Sequence, residues 1–432
     1  MPATPAAPAA RSQPGGTLSV TPFRGVRFDP ERIPDVAAVT SPPYDVIDPE
    51  SATHLEGLDP HNVVRLILPR AEAGDARGRY EHAAARLSQW LADGVLRRDD
   101  DPSLYVYEQA ATGMLQRGLL ATVGLRHPDE RVVLPHEDVM PGPVADRLEL
   151  MRATAANLEP ILLVYDGGGP TVDVIEAMAS TPPLLETVTE DGIRHRLWAI
   201  ADPAEQEIVA ADLAPRQALI ADGHHRYATY RRLQAEHHDA GHGPGPWDHG
   251  LALLVDSRAY PLDVAAIHRV VEGLSLTDAV SAASQVFSAE TAGTNLDSAM
   301  TALDAAPAGH CFVLSDGESF TLLTDPEPGA VAAALPPLHS DLWRALDASV
   351  LHAVLLERIW AIEDGSQRVR YLHHADGALR AARRSGGTAV LMRPVSVGDV
   401  ASVAATGERM PRKSTSFGPK PRTGLVLRLL AD

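Results

Sequence analysis

The stretch LIADGHHRYATYRRL (Leu219–Leu233) constrains the fold more than any other part of the sequence. A short apolar run ends at Asp222 and a run with helical spacing follows Gly223, which predicts a buried strand that turns at a glycine into a helix. Backbone amides at a helix start attract anions, and the planar guanidinium of Arg226 suits phosphate oxygens. The stretch therefore predicts a phosphate site, and its alternative is an aspartate N-cap beside two surface histidines.

Helices alternate with strands along the rest of the chain. Short runs rich in β-forming residues predict strands at Val63–Pro69, Ser103–Ala110, Gln116–Leu125, Ile161–Asp166 and 250–256, and a hairpin around Asp316–Gly317. Apolar residues at three- and four-residue steps predict helices at Arg77–Leu96, Asp146–Asn157 and Ser349–Asp364, with Asp146 as an N-cap or first-turn residue. This alternation predicts an α/β (α+β) fold class.

The length of 432 residues exceeds the usual size of one domain, so more than one core is expected. Residues 1–16 are dominated by Pro, Ala and Gly and are predicted to form a disordered N-terminal tail. A Gly/Pro-rich stretch after Ala240 predicts a border between an N-terminal α/β region at 17–240 and a C-terminal α/β region at 241–432.

The composition argues against several functional classes. The formal net charge of −19 repels nucleic acid and anionic lipid, so we expect no nucleic-acid partner. The apolar runs are far shorter than the roughly 20 residues that span a bilayer, so we expect no membrane segment. Cys311 is the single cysteine, which excludes an intramolecular disulfide and favours a cytoplasmic location. The oligomeric state is left open, with a homodimer as one alternative.

Two polar residues, His136 and Glu137, follow a strand-like run and precede a Pro/Gly loop. This placement suits a loop-borne acid–base pair, because such a pair needs to reach a reacting group from a fixed scaffold. A glutamate that is merely solvated is the alternative.

The C-terminal stretch Gly407–Leu430 is basic in a chain that is otherwise acidic. Its hydroxyl and cationic side chains at Arg412, Lys413, Ser414, Thr415 and Lys420 predict a phosphate clamp. The Arg412–Thr415 loop and the Asp222–Arg226 turn are predicted to share one anion, since two cationic clusters repel each other unless an anion joins them. A solvated basic tail is the alternative.

A Pro-Pro turn near the N-terminus carries Tyr44 and Asp45, and Arg24 precedes it. These residues are predicted to contact substrate, although a rigid turn that packs Tyr44 into the core would produce the same pattern.

Long motifs across nearly the whole chain are similar to the bacterial domain-of-unknown-function 1015 family. They are PFRGVRFDP, VTSPPYDVI, NVVRLILP, LPHEDVMPGPVADRLELMRAT, HRLWAI, IADGHHRY, IHRVV and RMPRKSTSFGPKPRTGL. On these motifs the chain is identified as a member of that family, whose association with serine biosynthesis implies a serine- or phosphoserine-linked role.

The order of the motifs HE, PI and DGHHRY resembles the free serine kinases of the ParB/sulfiredoxin-like superfamily. The resemblance implies a ParB/sulfiredoxin-like catalytic core, with Glu137 as the catalytic base and the DGHHR segment binding the phosphates of nucleotide and phosphoserine. The residues it assigns to the phosphates are Asp222, Gly223, His224, His225 and Arg226. Between Pro160 and Asp222 this chain carries a longer segment than a compact kinase of this type.

Two cationic clusters and a carboxylate base, without a cysteine nucleophile or zinc-ligand spacing, favour phosphoryl transfer. The predicted function is a nucleotide-dependent enzyme acting on serine or O-phosphoserine, with ATP or ADP as phosphoryl donor and Mg²⁺ positioned by Asp222. The residues predicted to take part in catalysis are Glu137, His136 and His225, with Arg226 and Lys413 bearing developing charge. Two alternatives stay open: an O-phosphoserine phosphatase, and a ParB-like nucleotide-gated binding module without kinase activity.

Overall fold

The computed structural model describes residues 16–71, 78–307, 309–363 and 366–431. The chain divides into two compact units. The first consists of Met1–Leu134, Val139–Pro261 and Pro421–Asp432, and the second of Pro135–Asp138 and Leu262–Lys420. The chain thus passes into the second unit at Leu262, whereas the Gly/Pro-rich stretch predicts a border after Ala240. The tail predicted at 1–16 lies, apart from Gly16, outside the described residues.

The first unit is built on a mixed sheet whose central strands are buried on both faces. From one edge to the other, its strands are Val133–Leu134, Ala218–Asp222, Ile161–Tyr165, His249–Asp256, Met114–Gly124, Leu104–Ala111, Arg194–Ile200 and Leu185–Val188, and Val20–Thr21 also pairs with Met114–Gly124. The strand Ala218–Asp222 runs parallel to Val133–Leu134 and antiparallel to Ile161–Tyr165. Burial on both faces explains why Ile161–Tyr165 and Ala218–Asp222 are continuous apolar runs rather than alternating ones.

The remaining elements of the first unit cover this sheet or extend it. Its helices are Pro49–Leu58, Val64–Ile67, Gly78–Ala92, Pro141–Thr154, Pro170–Ala179, Pro203–Leu213 and His224–Asp239, and its short 3₁₀ turns are Ala37–Val39, Tyr44–Val46, Pro128–Glu130 and Pro246–Asp248. Short strand pairs join Val26–Phe28 to Leu96–Arg98, and Ala156–Asn157 to Arg428–Leu429.

The second unit contains an antiparallel sheet. Its strands run in the order Ser288–Thr291, Phe320–Thr324, Phe312–Ser315, Thr388–Leu391, His268–Val271 and Val369–Leu372, and Asp263–Ala265 pairs separately with Ser416–Gly418. Its helices are Leu276–Ala283, Leu296–Ala305, Pro328–Ala334, Asp341–Arg344, Asp347–Val350, the π-helical Leu351–Ile359, Ala375–Ser385 and Val397–Ala405.

The predicted mixed α/β class is confirmed, and so are most of the predicted elements. Gly94, at φ 69°, lies just beyond the helix Gly78–Ala92 and ends it as predicted, while the predicted first residue Arg77 lies outside the described residues. The hairpin forms around Asp316–Gly317, where Gly317 has φ 97°. The helix predicted at Ser349–Asp364 forms, but residues Leu351–Ile359 have π-helical rather than α-helical hydrogen bonding. Its predicted last residue, Asp364, is outside the described part.

The strand predicted at Val63–Pro69 is wrong, because residues Val64–Ile67 form a helical turn. Asn62 Oδ1 accepts the backbone N–H of Val64, the first residue of this turn, at 2.9 Å. The turn is buried on several sides, and a fully buried helical turn has the same continuous apolar pattern as a fully buried strand.

The N-cap or first-turn role predicted for Asp146 is also wrong. The helix begins earlier, at Pro141, where a proline suits the first helical position because its missing N–H needs no partner. Asp146 lies in the middle of this helix and accepts hydrogen bonds from Arg79, Tyr80 and Arg147. Within the described ranges, no helix is both long and apolar enough to cross a bilayer.

Candidate functional site

The turn at Gly223 joins the strand Ala218–Asp222 to the helix His224–Asp239 in the first unit. Gly223 has φ 92°, which L side chains rarely adopt. A Cβ at this position would lie 2.9 Å from Ile161 Cγ2 and 3.1 Å from Arg226 Nε. Glycine is therefore required both by the backbone conformation and by the close approach of the neighbouring strand. The strand–turn–helix predicted from the sequence is confirmed.

Arg226 packs against Gly223 of this turn and is only 3% exposed. It forms an ion pair with Asp222 and donates to the carbonyl oxygen of Pro160, while its Nε finds no hydrogen-bond partner among the described residues. Burial lowers the pKa of Arg226, but the carboxylates of Asp222 and Glu159 more than offset this and raise it. The charge of Arg226 is thus balanced inside the turn.

The two histidines of the turn differ in exposure. His224 is buried, whereas His225 is partly exposed and its Nε2 accepts the backbone N–H of Met140 at 3.0 Å. Because Nε2 is the acceptor, the neutral ring of His225 carries its proton on Nδ1, as assigned from this hydrogen bond. His225 therefore links the turn to the start of the helix Pro141–Thr154.

Tyr44, predicted as a substrate contact, lies against two arginines of the first unit. The Arg147 guanidinium is 4.4 Å from the centroid of the Tyr44 ring, and that of Arg226 is 6.0 Å from it. Burial raises the pKa of Tyr44 to about 12 against the charges of both arginines. Asp45 is exposed beside Tyr44, while Arg24 lines a different cavity of about 530 Å³.

Glu159 belongs to the same cluster but was missed by sequence reasoning. Its carboxylate is buried and accepts the backbone N–H of Tyr44 at 2.9 Å and the hydroxyl of Thr423 at 3.4 Å. Burial raises the pKa of Glu159, and the charges of Arg226 and Arg147 oppose that rise. The only sequence signal was the position of Glu159 immediately before Pro160 and a buried strand. A single glutamate at such a position is too common to indicate a functional site.

A small cavity of about 30 Å³ adjoins these charged groups. Its polar lining consists of Arg147, Glu159, Arg226 and Tyr230, and apolar side chains of Pro141–Thr154 and the following segment complete it. A volume of this size suits a water molecule or a small polar group.

The second unit contains the predicted acid–base pair. His136 Nε2 lies 3.0 Å from Thr415 Oγ1, and the carbonyl oxygen of His136 accepts the backbone N–H of Met410 at 2.8 Å. The structure therefore brings His136 together with Thr415 of the predicted clamp. Glu137 is partly buried on this anchored segment, whereas the side chain of Asp138 is 91% exposed.

The predicted clamp is a turn with a fixed backbone. Arg269 Nη2 donates to the carbonyl oxygen of Arg412 at 3.1 Å, and Ser414 Oγ donates to the carbonyl oxygen of Pro411. Lys413 has φ 54° and is exposed, as is Arg412, while Lys420 is partly exposed.

Other basic residues of this C-terminal stretch have structural roles. Arg409 donates to the carbonyl oxygen of Pro135 at 2.7 Å within the second unit. In the first unit, Arg428 donates to Asn157 Oδ1 at 2.9 Å. The basic stretch therefore combines residues that hold the fold together with residues that present charge at the surface.

Comparisons with known proteins give a family but no curated relative. The solved structures similar to this chain include three of low identity and low TM-score. They are a free serine kinase in complex with AMP (14% identity, 66% of this chain, 84% of that chain, TM-score 0.34), SbnI with C-terminal truncation from Staphylococcus aureus (14%, 72%, 87%, 0.36) and a conserved hypothetical protein from Pyrococcus furiosus (12%, 66%, 87%, 0.32). No curated protein sequence matches the chain. The family model described as "Protein of unknown function (DUF1015)" matches residues 20–349, so the chain belongs to that family.

Proposed function

We propose that this chain transfers phosphoryl groups between a nucleotide and serine, forming or consuming O-phosphoserine. The observation that supports this most is the turn at Gly223, where a left-handed glycine starts a helix of 16 residues. The first backbone amides of a helix lack intrahelical partners and carry partial positive charge, which suits phosphate oxygens. Arg226 is buried, pairs with Asp222 and donates to the carbonyl oxygen of Pro160, so it holds this turn in shape.

The charge balance at the turn favours a transient phosphate ligand. Since Arg226 is paired with Asp222, the donors that the turn offers are chiefly backbone amides rather than a full cationic charge. Phosphoryl transfer depends on positioning and on stabilising the charge of the transferred group, and a rigid set of amides supplies both.

Glu137 is the proposed base, a role that rests on the resemblance to the free serine kinases. Its segment is held by His136, whose ring contacts Thr415 and lies with its centroid 5.4 Å from that of Phe417. A fixed backbone suits a general base, because proton transfer requires the carboxylate within hydrogen-bond reach of the hydroxyl. His136 is thus a positioning residue in this proposal.

Substrate contacts are proposed at Tyr44 and Asp45. Serine is a zwitterion, so its recognition needs both anionic and cationic groups. Asp45 supplies an exposed carboxylate. The ring of Tyr44 contacts the guanidinium of Arg147, and its backbone N–H donates to Glu159 in the buried cluster of the first unit.

The residues at the turn do not fit a resident Mg²⁺. Asp222, which was predicted to help position the ion, already pairs with Arg226. Across the part of the chain that the structure describes, no group of three His, Cys, Asp or Glu side chains could hold a metal. We therefore assign no step to a protein-held ion, and a Mg²⁺ that arrives with a nucleotide is part of the substrate.

The proposal is tested by ³¹P NMR of the full chain with L-serine and ATP or ADP, and in reverse with O-phosphoserine and ADP or AMP. We expect the O-phosphoserine resonance to appear only when serine and nucleotide are both present. Release of inorganic phosphate from O-phosphoserine without nucleotide would replace the kinase proposal by a phosphatase. Nucleotide binding without turnover in either direction would contradict phosphoryl transfer altogether.

A further inference from the structure

A cavity of about 380 Å³ lies in the second unit, where the strand Phe320–Thr324 ends and the helix Pro328–Ala334 begins. Its volume falls within the range of about 300–1,000 Å³ that is typical of small-molecule sites. Its apolar wall consists of Pro307, Pro326, Pro328, Val331, Ala332 and Leu335. The cavity therefore suits a small ligand that has an apolar part.

Arg344 contributes a positive charge to this cavity. It is the last residue of the short helix Asp341–Arg344, and it is partly buried. Within the described ranges, its guanidinium forms no ion pair and no hydrogen bond. An arginine fork binds a carboxylate through two parallel hydrogen bonds. Arg344 is thus placed to receive the carboxylate of a ligand.

Asp325 adds a carboxylate to the lining of the same cavity. It has φ 46°, although the residue before a proline usually adopts an extended conformation. The backbone N–H of Glu327, two residues further on, donates to the carbonyl oxygen of Val286 at 2.8 Å, so the turn is fixed. In the part of the chain that the structure describes, the carboxylate of Asp325 has no hydrogen-bond or ion-pair partner. Asp325 can therefore pair with an ammonium group.

His310 supplies a second acceptor and is held in place by two charged residues. Its Nδ1 lies 3.1 Å from Asp347 Oδ1, and Asp347 Oδ2 accepts a hydrogen bond from Arg393 Nη2 at 3.1 Å. Because an ionised carboxylate only accepts, Nδ1 carries the proton of the neutral ring, as assigned from this hydrogen bond. The Nε2 atom then remains as an acceptor, and no described residue bonds to it.

Cys311, the single cysteine of the chain, also lines the cavity. It is only 1% exposed, and burial raises the pKa of its thiol to about 11. A protonated thiol is a poor nucleophile. The lining is therefore suited to reversible binding rather than to covalent chemistry at the cysteine.

We propose that this cavity binds an α-amino acid with an aliphatic side chain. Arg344 pairs with its carboxylate, Asp325 and His310 accept hydrogen bonds from its ammonium group, and the apolar wall surrounds its side chain. A zwitterion provides a partner for each of these charges, which a partly buried site requires. The site does not depend on the phosphoryl-transfer proposal, because it lies entirely in the second unit, whereas Tyr44 belongs to the first.

Calorimetric titration of the full chain with L-leucine, L-isoleucine and L-valine tests the proposal. At least one of the three should bind saturably. The amide of that amino acid lacks the carboxylate, and the corresponding carboxylic acid lacks the ammonium group. Each should bind at least about tenfold more weakly, because a charge-assisted hydrogen bond is lost. Saturable binding of none of the three, or undiminished binding of the amide or the acid, would overturn the proposal.

Two variants test whether the ligand occupies this cavity. Arg344→Gln and Asp325→Asn each remove one charge, and asparagine tolerates a positive φ as aspartate does. Each should weaken binding at least about tenfold while the denaturant unfolding curve stays close to that of the wild type. Arg384→Gln and Asp304→Asn, at exposed positions that do not line the cavity, are the matched controls and should bind like the wild type. Full binding by both cavity variants, or an equal loss in the controls, would contradict the site.

Discussion

The two cationic segments predicted to bind phosphate differ in the burial and pairing of their basic side chains. At the turn of the first unit, Arg226 is buried and paired with Asp222. At the clamp turn of the second unit, the backbone is fixed by Arg269 while Lys413 is exposed. A basic residue in a motif can therefore hold a turn in shape or offer charge to a ligand, and burial distinguishes the two roles. Substitutions in the first segment should reduce stability, and those in the second should mainly reduce anion binding.

The largest expected effect on stability is that of Arg226→Met. This change removes the cation that pairs with the buried carboxylate of Asp222, and breaking a buried ion pair in this way costs about 3–5 kcal/mol. Denaturant unfolding measures the loss. Arg232→Met, at an exposed position of the same helix, is the control and should change the free energy of unfolding by less than about 0.5 kcal/mol. Equal effects of the two substitutions would show that Arg226 is not a structural cation.

A smaller, pH-dependent effect is expected at Glu159. Its pKa in the folded chain is raised above the ordinary value of 4.5, so its contribution to stability is fully present below that value and is lost as the pH rises through the raised pKa. The glutamine side chain in Glu159→Gln cannot ionise, so the variant does not lose stability in this way as the pH rises. Relative to the wild type, the variant should therefore gain stability as the pH rises, by about 1.4 kcal/mol for each unit of pKa shift. A stability difference that is constant with pH would contradict the raised pKa.

The smallest effect on stability is expected for Lys413→Met. Because Lys413 is exposed, its removal should change the free energy of unfolding by less than about 0.5 kcal/mol while weakening phosphate binding. Unfolding curves and phosphate titrations of the same samples separate the two properties. A loss of stability comparable to that of Arg226→Met would contradict the claim that Lys413, unlike Arg226, has no structural role in its turn.

The fold class and the strand–turn–helix at Gly223 could be predicted because their signals are local: an apolar run, a glycine and a helical period. The strand predicted at Val63–Pro69 is wrong because burial on several sides removes the difference between strand and helix patterns. Glu159 and Arg147 could not be found, since their roles arise from contacts with Tyr44 and Arg226 that are distant in sequence. The ParB/sulfiredoxin-like core, the domain border after Ala240 and an anion shared by the two turns stay predictions.

The most direct test of the account compares phosphoryl transfer in Glu137→Gln and Asp138→Asn. Each substitution removes one carboxylate charge from the same short segment with almost no change in shape. Loss of a general base should lower turnover in Glu137→Gln by about 10²–10⁴-fold while serine and nucleotide still bind. Asp138→Asn should turn over at nearly the wild-type rate, since its side chain is 91% exposed. Turnover of Glu137→Gln within a few-fold of wild type, or an equal loss in both variants, would contradict the assignment of Glu137 as the base.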